Sequence, residues 1–270
     1  MIKIENTEVF GWEAAIRSSR NPMNSWEKSD SLFYDSYNGE GDYYYRDINN
    51  NDYSDTNYYP VIIRENDHNL LMRLSKAGSV EAKYRRMIVV YADITAPLYW
   101  WKEFDTYKVG SVSNSCSTMH KIHAKEFTLD DFSCEHLLGI STSTALDNSP
   151  SVIPMVAVSK GETQEDFDKN EKIAFTPLYT IQLTIALLNR CRDMFLETKD
   201  KKYWWQMIQL LPSSYNQRRT IMLNYEVLAN IYRNRKDHKL DEWRDFCSWI
   251  KTLPYSELIT LDNLETSNEV

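Results

Sequence analysis

The 270-residue chain carries only seven glycines and eight prolines, and 42% of its residues are hydrophobic, which excludes a fibrous or broadly disordered protein. Long apolar runs are also missing. No stretch approaches the roughly 20 apolar residues that span a bilayer, and the opening Met1-Ile2-Lys3-Ile4-Glu5 has no signal-peptide core. The expectation is a cytoplasmic protein with no membrane partner. Positive charge is not in excess: the net charge of −8 disfavours general binding to nucleic acid, while leaving room for a local basic pocket. The four cysteines, Cys116, Cys134, Cys191 and Cys247, are far apart and form no CxxC pair, as expected of reduced thiols rather than a disulfide framework.

What is present is a chain long enough for a sizeable core, organised around residues 94–119. Met87 to Ile94 is β-branched and aromatic, which predicts a strand. Pro97 suits the first turn of a helix, and Leu98, Trp101 and Phe104 recur at helical spacing, so an aromatic helix follows and ends near Lys108-Val109-Gly110. Ser111 to Met119 is rich in hydroxyls and reads as a loop.

Elsewhere, the stripe Val9, Trp12, Ala15, Ile16 and Ser19 predicts a first helix over 7–20, with Arg17 and Arg20 projecting from it. Residues 25–60 shift to Asp, Asn, Ser, Tyr and Gly, an insertion of the kind that forms a lid, an interface or disorder; its tyrosines favour order. An amphipathic helix over 67–76 stops at Gly78. A capping-box-like start at Thr163 and Asp166 predicts a helix toward Pro177, and the nearly all-round apolar run after Pro177 predicts a helix buried in a core or a subunit interface. Residues 203–211 form a short helix, and 237–253 a last helix with Trp243, Phe246, Trp249 and Ile250 inward. Cys116, His120, His123, Cys134 and His136 are metal-ligand types, but their spacing matches no standard zinc pattern, so no metal is expected.

Two segments carry a resemblance. The strand, Ala96-Pro97, aromatic helix and loop over 106–118, together with Leu211-Pro212 leading to Asn224, Asn230 and Arg235, resemble the flavin-dependent thymidylate synthases, whose loop pattern is RHRxxSxNExSxR. Here that frame reads Thr106-Tyr107-Lys108-Val109-Gly110-Ser111-Val112-Ser113-Asn114-Ser115-Cys116-Ser117-Thr118. Ser111, Asn224, Asn230 and Arg235 match, and Lys108 stands in for an Arg. The first Arg and the His are replaced by Thr106 and Tyr107, the helix Gln by Glu103, and the loop's Glu, Ser and last Arg by Asn114, Cys116 and Thr118. The family's Arg two residues after the first Asn is Glu226, and its Arg before the Leu-Pro is Ile208.

The resemblance implies an α+β fold with a mainly antiparallel sheet flanked by helices, as one domain over 1–260 with a polar tail at 261–270, assembled as a homotetramer. It implies FAD as cofactor, with NADPH and methylenetetrahydrofolate if the family reaction persists, and a pyrimidine deoxynucleotide, dUMP, as the molecule methylated. Ser111 and Cys116 are then the catalytic candidates, Lys108, Asn224 and Asn230 face the cofactor, and Asn114 and Arg235 face the substrate. A Cys116 thiolate attacking the pyrimidine is one reading, and a small packing cysteine is the other. Each arginine lost removes a donor fork that threonine cannot imitate. The rival is therefore a non-catalytic homologue that keeps the fold as a nucleotide-binding or assembly module.

Overall fold

A computed structural model describes residues 2–37, 43–47, 52–55, 61–138 and 176–261. In chain order the elements are β1 (Lys3–Phe10), α1 (Trp12–Arg20), β2 (Leu32–Tyr37), β3 (Tyr43–Asp47), β4 (Asp52–Asp55), β5 (Val61–Ile62), α2 (Glu65–Ala77), β6 (Val89–Pro97) and α3 (Leu98–Phe104). There follow β7 (Val112–Ser115), α4 (Thr118–Lys121), α5 (Pro177–Thr198), α6 (Lys201–Leu210), β8 (Asn216–Asn224), α7 (Tyr225–Arg235), α8 (Asp241–Ile250) and α9 (Glu257–Thr260). Helices are thus mixed with two four-stranded sheets, in the orders β1-β6-β8-β7 and β4-β3-β2-β5. The pairs β1/β6, β7/β8, β2/β3, β3/β4 and β2/β5 are antiparallel. This is the α+β class the sequence predicted. The predicted helix at 163–176 and the polar tail fall almost wholly outside the described residues.

Two compact units divide the chain: residues 1–96, 100–115 and 218–270, and residues 97–99 and 116–217. In the first unit, α3, α7 and α8 bury an aromatic core. The Trp100 ring lies 4.8 Å from Trp243 and 5.6 Å from Phe246, and all three side chains are fully buried. Three such side chains supply several kcal/mol of burial, at about 1.5–3 kcal/mol each. In the second unit, Ile181 and Leu188 of α5 pack against Met207 of α6, with Phe127 and Phe132 in the same cluster. Leu183 and Leu187 on α5 are 37% and 55% exposed, so within this chain the helix is buried along one stripe rather than all round.

Three local expectations are corrected. Residues 3–10 form a strand, not the start of a helix, because Phe10 pairs with Val89 on β6. Gly11 then turns the chain at φ +95°, where an added Cβ would sit 2.0 Å from the Met87 carbonyl oxygen, so helix α1 begins only at Trp12. The hydroxyl-rich stretch after Ser111 contains an edge strand: Val112 to Ser115 pair with Met222 to Arg219 through the backbone, although all four side chains are exposed. An edge strand of this kind needs no apolar alternation. Finally, Arg20 does not project into solvent. It is 4% exposed, and its Nε donates to Asp67 Oδ1 at 2.7 Å. Asp67 Oδ2 also accepts from the Ser29 and Ser31 hydroxyls, both at 2.7 Å, so the buried carboxylate is met on every side.

Candidate functional site

The site is built on the aromatic core of the first unit. Because Trp100, Trp101 and Phe104 point inward, α3 turns Glu103 to its rim. The Thr106 hydroxyl donates to the Glu103 carbonyl at 2.7 Å and helps end the helix, which releases Tyr107 and Lys108 into a loop. Gly110 brings this loop onto the start of α7. Its φ is +77°, and an added Cβ would lie 2.8 Å from Asn224 Nδ2 and 3.3 Å from a Val227 methyl. The amide of Asn224 donates to the Gly110 carbonyl at 3.4 Å, while its Oδ1 caps α7 by accepting the Val227 N–H at 3.0 Å. The Ser111 hydroxyl donates to the Tyr107 carbonyl.

Arg235, at the other end of α7, is held from three sides. Its Nε donates to the Tyr107 hydroxyl at 3.0 Å, its Nη1 lies 3.1 Å from Glu103 Oε2, and its guanidinium stacks 4.7 Å from the Trp243 ring centroid. Glu103 Oε2 also accepts the Trp243 indole N–H at 3.0 Å and stands 3.8 Å from His238 Nε2. The residues that replace the family's helix Gln and loop His, Glu103 and Tyr107, therefore meet the retained arginine. Sequence comparison counted them only as losses. No local pattern could pair them, because Glu103 and Arg235 stand 132 positions apart.

The remaining candidates are distributed differently. Asn230, on α7, accepts from Arg233 at 3.1 Å and from Asn234 at 3.0 Å, both on its own helix. Asn114 is exposed on β7 opposite Thr220, and Lys108 is exposed in the loop. Cys116 lies in the second unit with its side chain exposed, and its carbonyl accepts from the Gln217 amide at 3.2 Å. The structure thus gathers Lys108, Ser111, Asn224 and Arg235 around the loop and α7, with Asn230 on the same helix, and places Cys116 outside that unit.

Charge around this face is balanced within the chain. Arg219 pairs with Asp105 at 2.8 Å and stacks 4.3 Å from the Trp101 ring, and Arg218 pairs with Asp93 at 2.8 Å. Hydrogen bonds from Thr220, Asn6 and Arg218 hold the Asp93 carboxyl well below the usual carboxylate range. Arg85 is 5% exposed and faces Glu226 at 3.6 Å; its Nε and Nη2 find no hydrogen-bond partner among the described residues. Glu226, in the first turn of α7, also gains from the helix dipole. Arginines on aromatic faces, rimmed by loop amides and hydroxyls, can receive an anionic ligand wherever a carboxylate yields its place.

The architecture defined by these elements is that of the flavin-dependent thymidylate synthases. The resemblance read from the two sequence segments is thereby borne out as a fold. A structure of thymidylate synthase X from Helicobacter pylori with FAD and dUMP superposes with a TM-score of 0.57 at 14% identity, over 97% of this chain and 98% of that chain. The UMP/dUMP methylase PolB from Streptomyces cacaoi, bound with 5-Br UMP, superposes with a TM-score of 0.52 at 10% identity, over 97% of this chain and 95% of that one. No protein-family model and no curated protein sequence matches the chain.

Proposed function

We propose that this protein binds a deoxyuridine nucleotide against the Tyr107–Ser111 loop and α7, with FAD as cofactor, and acts on the pyrimidine as a divergent member of the flavin-dependent thymidylate synthase type. The observation that carries this reading is the contact of the loop with both ends of α7: Gly110 with Asn224, and Tyr107 with Arg235. Structural neighbours of the same fold are complexes with FAD and dUMP.

Whether the residues fit an anion turns on the strength of their present pairing. The Arg235–Glu103 side chains are 21% and 38% exposed, and those of Arg219–Asp105 are 14% and 49% exposed. Partly exposed pairs of this kind are worth about 0–1 kcal/mol. A charge-assisted bond to a phosphate contributes about 1.5–3 kcal/mol, so a phosphate dianion can displace either carboxylate. Lys108 adds a donor at the loop, and the neighbouring Val109 and Val112 side chains, 90% and 60% exposed, offer apolar surface to a planar ring. The residues therefore fit a nucleotide, at an affinity lowered by the competing carboxylates. FAD, when bound, supplies the redox chemistry; Ser111, Lys108 and Asn224 position ligands at the loop.

A second reading is favoured by one specific feature. Asn224, Ser111, Asn230 and Arg235 all spend hydrogen bonds on the protein itself, which suits a non-catalytic homologue that keeps the fold as a binding or assembly module. Purified protein distinguishes the two. Absorbance at about 450 nm, and a rise in Tm on adding FAD and dUMP together, support the enzyme. Colourless protein whose Tm FAD does not move supports the module, whether or not dUMP alone raises it.

A further inference from the structure

A cavity in the second unit, of about 450 Å³, shares no residue with the site above. Its wall is aromatic and basic. Trp204 and Trp205 of α6 stand edge to face with centroids 4.9 Å apart, and Phe195 of α5 is in edge contact with the His123 ring at 4.9 Å. The Trp204 indole N–H donates to the Met119 carbonyl at 3.0 Å, which fixes that ring against α4. The polar lining is His120, His123 and Lys201, and no carboxylate lines the cavity among the described residues. Lys202 is paired with Asp200 at 3.0 Å, whereas the ammonium of its neighbour Lys201 meets no acceptor among the described residues.

Three features have no use within the described fold. Trp205 is 49% exposed and Met119 54% exposed, although each could cover far more apolar surface if the cavity were filled. The Nδ1 of His123 is buried and makes no hydrogen bond among the described residues, whereas buried polar atoms are normally satisfied. The volume lies within the usual range for small-ligand pockets, roughly 300–1,000 Å³. Apolar π-faces select a flat ring. The unmatched ammonium and the imidazoles select negative charge on that ring, and the absence of lining carboxylates gives a cation no partner.

We propose that this cavity is a binding site for a planar aromatic anion of the aryl carboxylate class, independent of the nucleotide reading. The ring lies against Trp204 and Trp205, and the carboxylate meets Lys201.

The test is calorimetric titration of the full chain with 2-naphthoate and with uncharged 2-naphthamide. The expected result is that 2-naphthoate binds at least about tenfold more tightly, and that Lys201→Gln removes about tenfold from its affinity while leaving 2-naphthamide unchanged. Trp205→Ala weakens both probes by about fivefold or more, and Trp205→Phe, which keeps a π-face, retains most of the binding. The proposal is overturned if 2-naphthoate fails to bind at millimolar concentration, if it binds no better than the amide, or if Lys201→Gln leaves its affinity intact. Competition between 2-naphthoate and dUMP would also overturn it, by assigning the probe to the loop and α7. Unchanged Tm of Lys201→Gln confirms that the fold is intact, since Lys201 is exposed.

Discussion

Replacing Glu103 by Gln isolates the competition between the protein's own carboxylate and a ligand phosphate for Arg235. The Glu103 carboxylate lies 3.1 Å from Arg235 Nη1 and accepts the indole N–H of the fully buried Trp243 at 3.0 Å. A glutamine side chain keeps an acceptor for the indole but removes the charge. With side chains 38% and 21% exposed, the ion pair contributes about 0.2–1 kcal/mol after solvent screening. A ligand phosphate no longer has to overcome that amount. At about 1.4 kcal/mol per tenfold, Glu103→Gln should raise dUMP affinity by a factor of roughly 1.4 to 5. Stability should change little. Glu103→Ala, by contrast, leaves the buried indole N–H without its acceptor and should cost about 1–3 kcal/mol. Calorimetric titration with dUMP, alongside thermal melts of all three proteins, reads both effects. Equal or weaker dUMP binding by Glu103→Gln, with Tm unchanged, would refute the view that Glu103 holds the phosphate-binding arginine in reserve.

Asp67→Asn, which leaves the buried Arg20 without a counter-charge, should cost about 3–5 kcal/mol in denaturant unfolding. Burial pushes the Asp67 pKa up, but the hydrogen bonds from Ser31, Ser29 and Arg20 outweigh it, and the folded value lies below the unfolded one. Its contribution is therefore present above the ordinary Asp range and lost as pH falls through the folded value, so the acid limb of a pH–stability curve should flatten in the variant. Gly110→Ala places a side chain at φ +77° and against Asn224, so it should cost about 1–2 kcal/mol and weaken dUMP binding with it; an unchanged Tm would contradict that packing. Iodoacetamide at neutral pH should label exposed Cys116 well before Cys247, which is 3% exposed and whose thiol burial pushes up to about 11. Mass spectrometry showing equal rates would contradict both the exposure and the thiol chemistry.

Periodicity revealed most of the helices because their buried faces are large and aromatic. Leu98, Trp101 and Phe104 announced α3, and Trp243 and Phe246 announced α8; Trp100, outside the stripe read for α3, is buried with them in the core beneath the site. Backbone-driven features were hidden. Strand β7 has four exposed side chains and exists through its pairing with β8, and the break at Gly11 depends on a close approach to Met87 that no local pattern encodes. Site legibility followed the same division. The sequence carried the two segments that meet at the site, the 106–118 loop and the stretch with Asn224, Asn230 and Arg235, while the contacts of Gly110 with Asn224 and of Tyr107 with Arg235 came from the structure. Partner choice was not, because the pairing of Glu103 with Arg235, or of Arg20 with Asp67, joins residues 132 and 47 positions apart. Single-chain patterns treat such charges as separate solvated groups.

A crystal structure with dUMP at millimolar concentration would show where the nucleotide sits. The phosphate is expected within hydrogen-bond distance of Arg235 or Arg219, the pyrimidine against residues 107–111, and one of the carboxylates of Glu103 and Asp105 displaced. A nucleotide seated on any other surface, or both ion pairs intact with the loop and α7 empty, would contradict that placement.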